Sequence, residues 1–301
     1  MELIDRARAN GIRVAAWTFD EFYGRDHEFL DGLEQRGQAF VAEVPVNFQG
    51  WLEKPRILHR GPKRRRTTKH PRVARRRPSS EVRNLLKYSP VFREQSWQRY
   101  RIKDTHKGPE VWEVKWAVFW RKGEHGLPSR RQCLLVARNV LTGEVKYFVA
   151  NRGPGEGGVT LRWLLRVAFG RWSVESCFRE AKEELGMDHY EVRGWRCIHR
   201  HFFVTQLSHL FCARIRQEYA PSADETVNPL SIEQVRSAMN TWLAAADLKP
   251  AARNERYQQE LDIQAYYQRR NAQAQTSHTK TRFARLRDLG INPDQLKSCL
   301  R

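Results

Sequence analysis

The chain has 301 residues, 40% hydrophobic and 29% charged, with a formal charge of +20 and a pI near 10.2. That is enough for one large domain or two smaller ones with a real core. No apolar run reaches the roughly eighteen residues that a membrane-spanning helix needs, and Met1-Glu-Leu-Ile-Asp5 lacks the basic-then-apolar pattern of a secretion signal. An excess of positive charge this large repels itself unless a polyanion is near, which places nucleic acid first among partners and an anionic membrane surface second. The cysteines at 133, 177, 197, 212 and 299 are odd in number and form no C-x2-C pair. They predict free thiols in a reducing compartment and no zinc site.

Residues 1–10 read as a helix stopped by Asn10-Gly11. Ile12 to Phe19 is almost wholly apolar and predicts a strand buried on both faces, ending at Asp20-Glu-Phe-Tyr-Gly24. A helix over 26–36 closes at Gly37, and Ala39-Phe-Val-Ala-Glu-Val44 predicts a second strand stopped by Pro45. The acid thus sits at the carboxyl end of the first strand, where ligands and metals gather in parallel sheets.

Residues 54–77 contain twelve Lys or Arg among twenty-four and no Asp or Glu. They predict an extended or disordered basic loop able to follow a phosphate backbone, with a solubilising linker as the plainer reading. Residues 97–151 are strand-rich, with a turn at Thr142-Gly143. After Gly153-Pro-Gly-Glu-Gly-Gly158, helices are expected near 159–169, 171–185, 197–218, 231–246 and 253–268, and the chain ends in a basic segment. On the 197–218 helix, Phe202, Leu207, Leu210 and Phe211 supply an apolar face.

The run Arg171-Trp-Ser-Val-Glu175-Ser-Cys-Phe-Arg-Glu-Ala-Lys182 carries the most chemistry. On a helix its three named charges fall within about 40° of one another. Val174, Phe178, Ala181 and Leu185 predict a neighbouring apolar stripe facing a core. A carboxylate flanked by cations at a core's edge suits a metal ligand between phosphate binders. By itself the spacing describes equally well a surface helix with internal ion pairs. Asp20, alone, is an ordinary turn or helix-capping acid. Together Asp20 and Glu175 are two carboxylates that can converge on Mg²⁺, which takes few protein acids and fills its shell from substrate phosphate.

These residues resemble those of bacterial insertion-sequence transposases, the DDE enzymes with an RNase H-like catalytic core. Asp20-Glu-Phe-Tyr-Gly24 is similar to their second-aspartate region, and Arg171, Glu175 and Lys182 match three of the four positions of the Y-x2-R-x3-E-x6-K signature. The tyrosine position holds Ala168, with Phe169 beside it. The stretch Glu183 to Trp195, followed by His199-Arg-His201, resembles the group numbered seven-zero-one, and Tyr267-Gln-Arg-Arg270 fits the same group.

The resemblance implies an α/β, RNase H-like core over 1–48 and 156–220. A basic linker (49–96) and a β-rich insertion (97–155) interrupt that core, and a helical basic region (221–301) follows it. It implies Mg²⁺ or Mn²⁺ held by Asp20 and Glu175, and DNA held by Arg171, Lys182, Arg193, Trp195, Lys63, Arg64, Arg65, Arg66, Arg75, Arg76 and Arg77. Terminal repeats and target DNA would be the substrates, a homo-oligomer on DNA the working form, and the nucleoid in the cytoplasm the location.

The family's first catalytic aspartate lies much earlier in the chain, whereas nineteen residues precede Asp20. The resemblance therefore implies an amino-terminal truncation. It leaves the strand at 12–19 with an open edge, only two strands of the core sheet, and a fragment that binds DNA without cutting it. A non-catalytic DNA-binding relative is the alternative. Three weaker readings compete: a nuclease-type Asp104…Glu113-Val-Lys115, whose E-x-K recurs at Glu144-Val-Lys146; a metal cluster of His189, His199, His201 and His209; and base stacking by the tryptophans at 97, 112, 116, 120, 163 and 172, which predict core instead, unlike Trp195.

Overall fold

The alternation across residues 133–137 sets the architecture. In the computed structural model, which describes residues 1–58, 71–74, 78–123, 125–220, 230–296 and 298–300, Cys133, Leu135 and Ala137 enter one apolar layer while Leu134 and Val136 enter another. Successive strand side chains point to opposite faces, so this strand is covered on both. The chain divides into two units, Met1–Arg171 with Lys280–Arg301, and Trp172–Thr279.

The first unit holds, in order, α1 (Glu2–Ala9), β1 (Trp17–Phe19), α2 (Glu21–Gly24), α3 (His27–Gln35), β2 (Phe40–Val44), β3 (Gln49–Trp51), β4 (Ile57–Leu58), β5 (Arg72–Val73), β6 (Ser80–Glu81), α4 (Val82–Tyr88), α5 (Pro90–Arg93), β7 (Gln98–Thr105), β8 (Gly108–Arg121), β9 (Gln132–Asn139), β10 (Val145–Ala150) and α6 (Leu161–Gly170). One mixed sheet runs β1-β2-β10-β9-β8-β3-β6, with β7 also paired to β8, while β4 and β5 form a separate ladder. β1 lies parallel to β2, with Phe19 opposite Ala42, and β10 lies antiparallel to β2 on its other side.

Two expectations change here. The strand expected over 12–19 shortens to Trp17–Phe19, and Ile12 and Val14 are exposed. The ladder begins where Trp17 meets Phe40, the first residue of β2, so residues 12–16 have no strand beside them. The two early strands are also not left as a two-strand sheet. The β-rich stretch joins them edge-on through β10, giving eight strands and a shared core.

Helix α6 covers one face, packing Leu161, Leu164, Leu165 and Ala168 on Val41, Trp112, Leu135 and Phe148. Val82 of α4 and Phe92 of α5 cover the opposite face over Val44, Phe119 and Val136. Beside them Ile4 of α1 and Leu30 and Leu33 of α3 pack on Phe40 and Ala42. The carboxy-terminal segment returns to this unit, where Leu286 and Ile291 bury against Val111 and Cys299 joins the α6 layer. All five cysteines are free, and burial pushes the Cys133 thiol up to about 12, which keeps it protonated and inert.

The second unit holds α7 (Trp172–Glu183), α8 (Trp195–Glu218), α9 (Ile232–Ala244) and the part of α10 (Pro250–Asp288) up to Thr279. Ser231 and Gln234 close α9 with a reciprocal capping box. Its core is small: Cys212, Ile232 and Val235, flanked by Leu185, Ala213, Ile215 and Met239. The apolar stripe expected on α7 is only partly buried. Ala181 is covered, while Val174 and Phe178 are about half exposed. Likewise Phe202, Leu207, Leu210 and Phe211 of α8 are exposed, because the helix turns Thr205 and Cys212 inward instead. The basic segment after residue 268 is helical, as the continuation of α10. Among the described residues, no helix is long and apolar enough to cross a membrane.

A polar cluster sits under α3. Arg121, fully buried at the end of β8, donates to Asp31 and lies 3.1 Å from Nδ1 of His27. Nearby, Gln132 donates its amide to Glu34. Burial pushes the Glu34 carboxyl up, against the pull of Gln132 and Arg121. A raised folded-state value means that ionised Glu34 costs stability above that value, a cost absent below the unfolded value near 4.5. Replacing Glu34 by Gln, which keeps an acceptor for Gln132, should raise the urea midpoint at pH 7.5, and the gain should vanish near pH 4. A loss at pH 7.5 would show that attraction to Arg121 outweighs burial.

Candidate active-site residues

Asp20 leaves the carboxyl end of β1 and caps the short helix α2. Its Oδ1 accepts from the backbone N–H of Phe22 at 3.2 Å and of Tyr23 at 3.4 Å. Oδ2 has no hydrogen-bond partner among the described residues. The capping role and a ligand role are therefore compatible on one carboxylate, one oxygen for each. Aromatic contacts hold the turn: the Phe19 and Phe29 rings lie 4.8 Å apart and those of Tyr23 and Phe29 5.2 Å. Gly24 closes it against β2, where a Cβ would stand 1.8 Å from the carbonyl oxygen of Glu43. Only glycine permits that approach, and it fixes the Asp20 turn onto the sheet.

Glu43 is a residue the sequence reading passed over. Its signal was present, as the one charged side chain in an otherwise apolar strand. Its carboxylate is 13% exposed, accepts from Lys146 Nζ at 2.8 Å, and lies 3.9 Å from Nη2 of Arg171. Arg171 closes α6 in helical conformation, φ −55° and ψ −37°. Glu43 thus holds two cations at the α6 face of β2, one of them the first charge of the Arg-Glu-Lys signature.

Glu175 and Lys182 lie seven residues apart on α7, about two turns, so they share a face, and both are exposed. The helix is tied to α8 within its own unit. Cys177 Sγ lies 3.7 Å from Nδ1 of His209, and Glu180 lies 3.7 Å from the Nε2 of that ring and 3.9 Å from Arg216. Trp195 opens α8, 73% exposed, with its ring 4.0 Å from that of His199, and Arg193 precedes it in an exposed non-helical stretch. Asp20 and Arg171 belong to the first unit and Glu175, Lys182, Arg193 and Trp195 to the second. Lys63, Arg64, Arg65, Arg66, Arg75, Arg76 and Arg77 lie outside the described residues. What is described of the basic run is the β4–β5 ladder, Ile57 opposite Val73.

The competing constellations have structural explanations. Burial works against the charged form of Glu113, but Arg138 and Arg99, both bonded to it, outweigh this and hold its carboxyl below the usual range. Lys115 is buried against the Phe92 carbonyl and the Trp97 ring. These are ion-pair and cation–π contacts within the sheet that account for both side chains. The histidines are dispersed: His201 donates to the Gly186 carbonyl at 2.9 Å, and His209 belongs to the α7–α8 contact. Of the tryptophans expected in the core, Trp112 is buried and Trp172 is half exposed. Among the described residues, no three His, Cys, Asp or Glu side chains gather to hold a metal.

Residues 1–109 match the family described as DDE superfamily endonuclease. That stretch contains β1, the Asp20 turn and β2, and the match supports a DDE-type transposase family. No curated protein matches the chain.

The cap geometry separates stability from chemistry at Asp20. Asp20→Ala should cost about 1 kcal/mol of unfolding free energy, whereas Asp20→Asn, which retains the cap, should cost only a few tenths. Gly24→Ala should cost about 3 kcal/mol or more, since its methyl meets backbone. Urea unfolding of the three variants checks the order, and an equal loss in Asp20→Asn and Asp20→Ala would refute the capping role.

Proposed function

We propose that this chain is part of an insertion-sequence DDE transposase that holds DNA through its basic surfaces and carries two of the enzyme's metal-binding acids, Asp20 and Glu175. The observation that carries the reading is the DDE superfamily endonuclease match over residues 1–109, which spans an aspartate leaving the carboxyl end of a parallel strand. The charge of +20 supports a polyanionic partner.

In this reading the full enzyme cleaves phosphodiester bonds at the element's ends and joins the freed 3′-OH to target DNA. Both steps are in-line displacements at phosphorus, where positioning and charge stabilisation do most of the catalytic work. A bound Mg²⁺ or Mn²⁺ supplies activation of the attacking oxygen and stabilisation of the leaving one. The proposal for this chain alone is that it binds DNA and does not cut it unaided.

Arg171 and Lys182 contact backbone phosphates, Arg171 by exchanging part of its hold on Glu43 for a phosphate oxygen. Arg193 and the basic run from Lys63 to Arg77 neutralise further phosphates, and the exposed Trp195 ring stacks on a base. The working form is a homo-oligomer assembled on duplex DNA.

Two measurements test this. Duplex affinity should fall steeply with salt, the logarithmic slope being about −0.9 for each phosphate neutralised. Exchanging Lys63, Arg64, Arg65, Arg66, Arg75, Arg76 and Arg77 for serine should flatten that slope. Salt-insensitive binding would sink the proposal. Supercoiled plasmid incubated with the chain and Mg²⁺ should stay intact, and nicking abolished by Asp20→Asn would show that the chain completes its own site.

A further inference from the structure

A cavity of about 820 Å³ opens in the first unit between α3 and the loop that follows β8. It is separate from the Asp20 turn and has no part in the proposed transposase chemistry. We infer that it binds a nucleoside phosphate, with Arg121 beneath the phosphate and Lys54 and Arg130 at its rim.

Three observations point there. The first is an orphaned donor. Arg121 lines the cavity and is fully buried, its two Nη atoms go to His27 and Asp31, and its Nε–H has no acceptor among the described residues. A buried guanidinium N–H without a partner is costly, and an anionic oxygen, or a water carried by one, is the acceptor that such a group lacks. Guanidinium also suits phosphate in geometry.

The second observation is the charge of the walls. Among the described residues, four basic side chains, Arg36, Lys54, Arg121 and Arg130, line the cavity against two acids, Glu28 and Asp31. Arg36 is held by Asp5 at 2.7 Å and Arg121 by Asp31. Lys54 and Arg130 form no salt bridge among the described residues, although Arg130 lies close enough to Glu34 to pull on its carboxyl, and both cations are exposed at the mouth. Ser129 is fixed between them and the floor, accepting from the Arg121 backbone N–H at 3.1 Å and donating to the Arg130 carbonyl.

The third observation is size. Inorganic phosphate would fill a small part of such a space, and Met1, Ile57, Leu127 and Pro128 give the remainder apolar walls. A concave, mostly apolar cavity with a few converging polar groups is the usual form of a small-molecule site. A phosphate joined to a flat, weakly polar base and its sugar fits both halves. A free mononucleotide and the phosphorylated end of a strand present the same recognised chemistry.

The test is calorimetric titration of the full chain with 2′-deoxyadenosine 5′-monophosphate, a 5′-phosphorylated oligothymidine and inorganic phosphate. At least one nucleotide ligand should bind saturably and more tightly than phosphate, and the tighter of the two identifies the source. Arg130→Ala and Lys54→Ala should each weaken that binding about tenfold, the loss of one charged phosphate contact. Both are exposed positions, so folding should be retained. Arg130→Ala should leave duplex affinity unchanged, which separates this site from the DNA surfaces. Arg121→Lys, checked for folding by circular dichroism, should lose binding as well. Nucleotide affinity equal to that of phosphate, no saturable binding, or unchanged affinity in Arg130→Ala and Lys54→Ala would overturn the inference and leave the transposase reading untouched.

Discussion

Strand β2 is the constraint on which the first unit depends. Its backbone is committed on both sides, parallel to β1 and antiparallel to β10, and its side chains are committed on both faces. Val41 packs under α6, while Phe40 and Ala42 pack under α1 and α3. What remains is one polar residue, Glu43, and it contacts both candidate elements of the unit. Its carbonyl sets the limit against which Gly24 closes the Asp20 turn, and its carboxylate gathers Lys146 and Arg171. A shift of β2 by one residue would exchange its faces and move the Asp20 turn and the Arg171 contact together.

Much of this was readable in the sequence, and the exceptions have physical reasons. The helix stops at Gly11 and Gly37 are written in local chemistry, since both residues take positive φ. The strand of residues 40–44 and the acid after the first strand were legible from apolar patterning. The length of β1 was not, because a strand extends only as far as its neighbour does, and β2 begins at Phe40. That the β-rich stretch would join β2 through β10 is likewise a long-range pairing without a local mark. On α7 and α8 the helical periodicity was right, yet Val174, Phe178, Leu207 and Phe211 are exposed. Periodicity reports that a face is apolar and not whether anything in the same chain covers it. Glu43 was visible as a lone charge in an apolar strand, but its partners lie over a hundred residues away, on β10 and at the end of α6.

Carboxylates gather cations in both units. In the first, Glu113 of β8 is flanked by Arg99 of β7 and Arg138 of β9, its direct register partners on the two neighbouring strands. Such pairs fix register more than they add stability. In the second, Glu180 lies 3.7 Å from His209 and 3.9 Å from Arg216, and Glu184 lies 3.4 Å from Arg236.

Asp20 is the acid of the first unit to which the proposed divalent ion is assigned, its Oδ1 taken by the helix cap. The most direct measurement replaces that ion with Fe²⁺, in the presence of duplex DNA and ascorbate, and maps where the locally generated radicals cut the polypeptide. The expected result is a set of cuts beside Asp20 that is lost in Asp20→Asn. Cuts confined to other parts of the chain, or unchanged by that substitution, would contradict it.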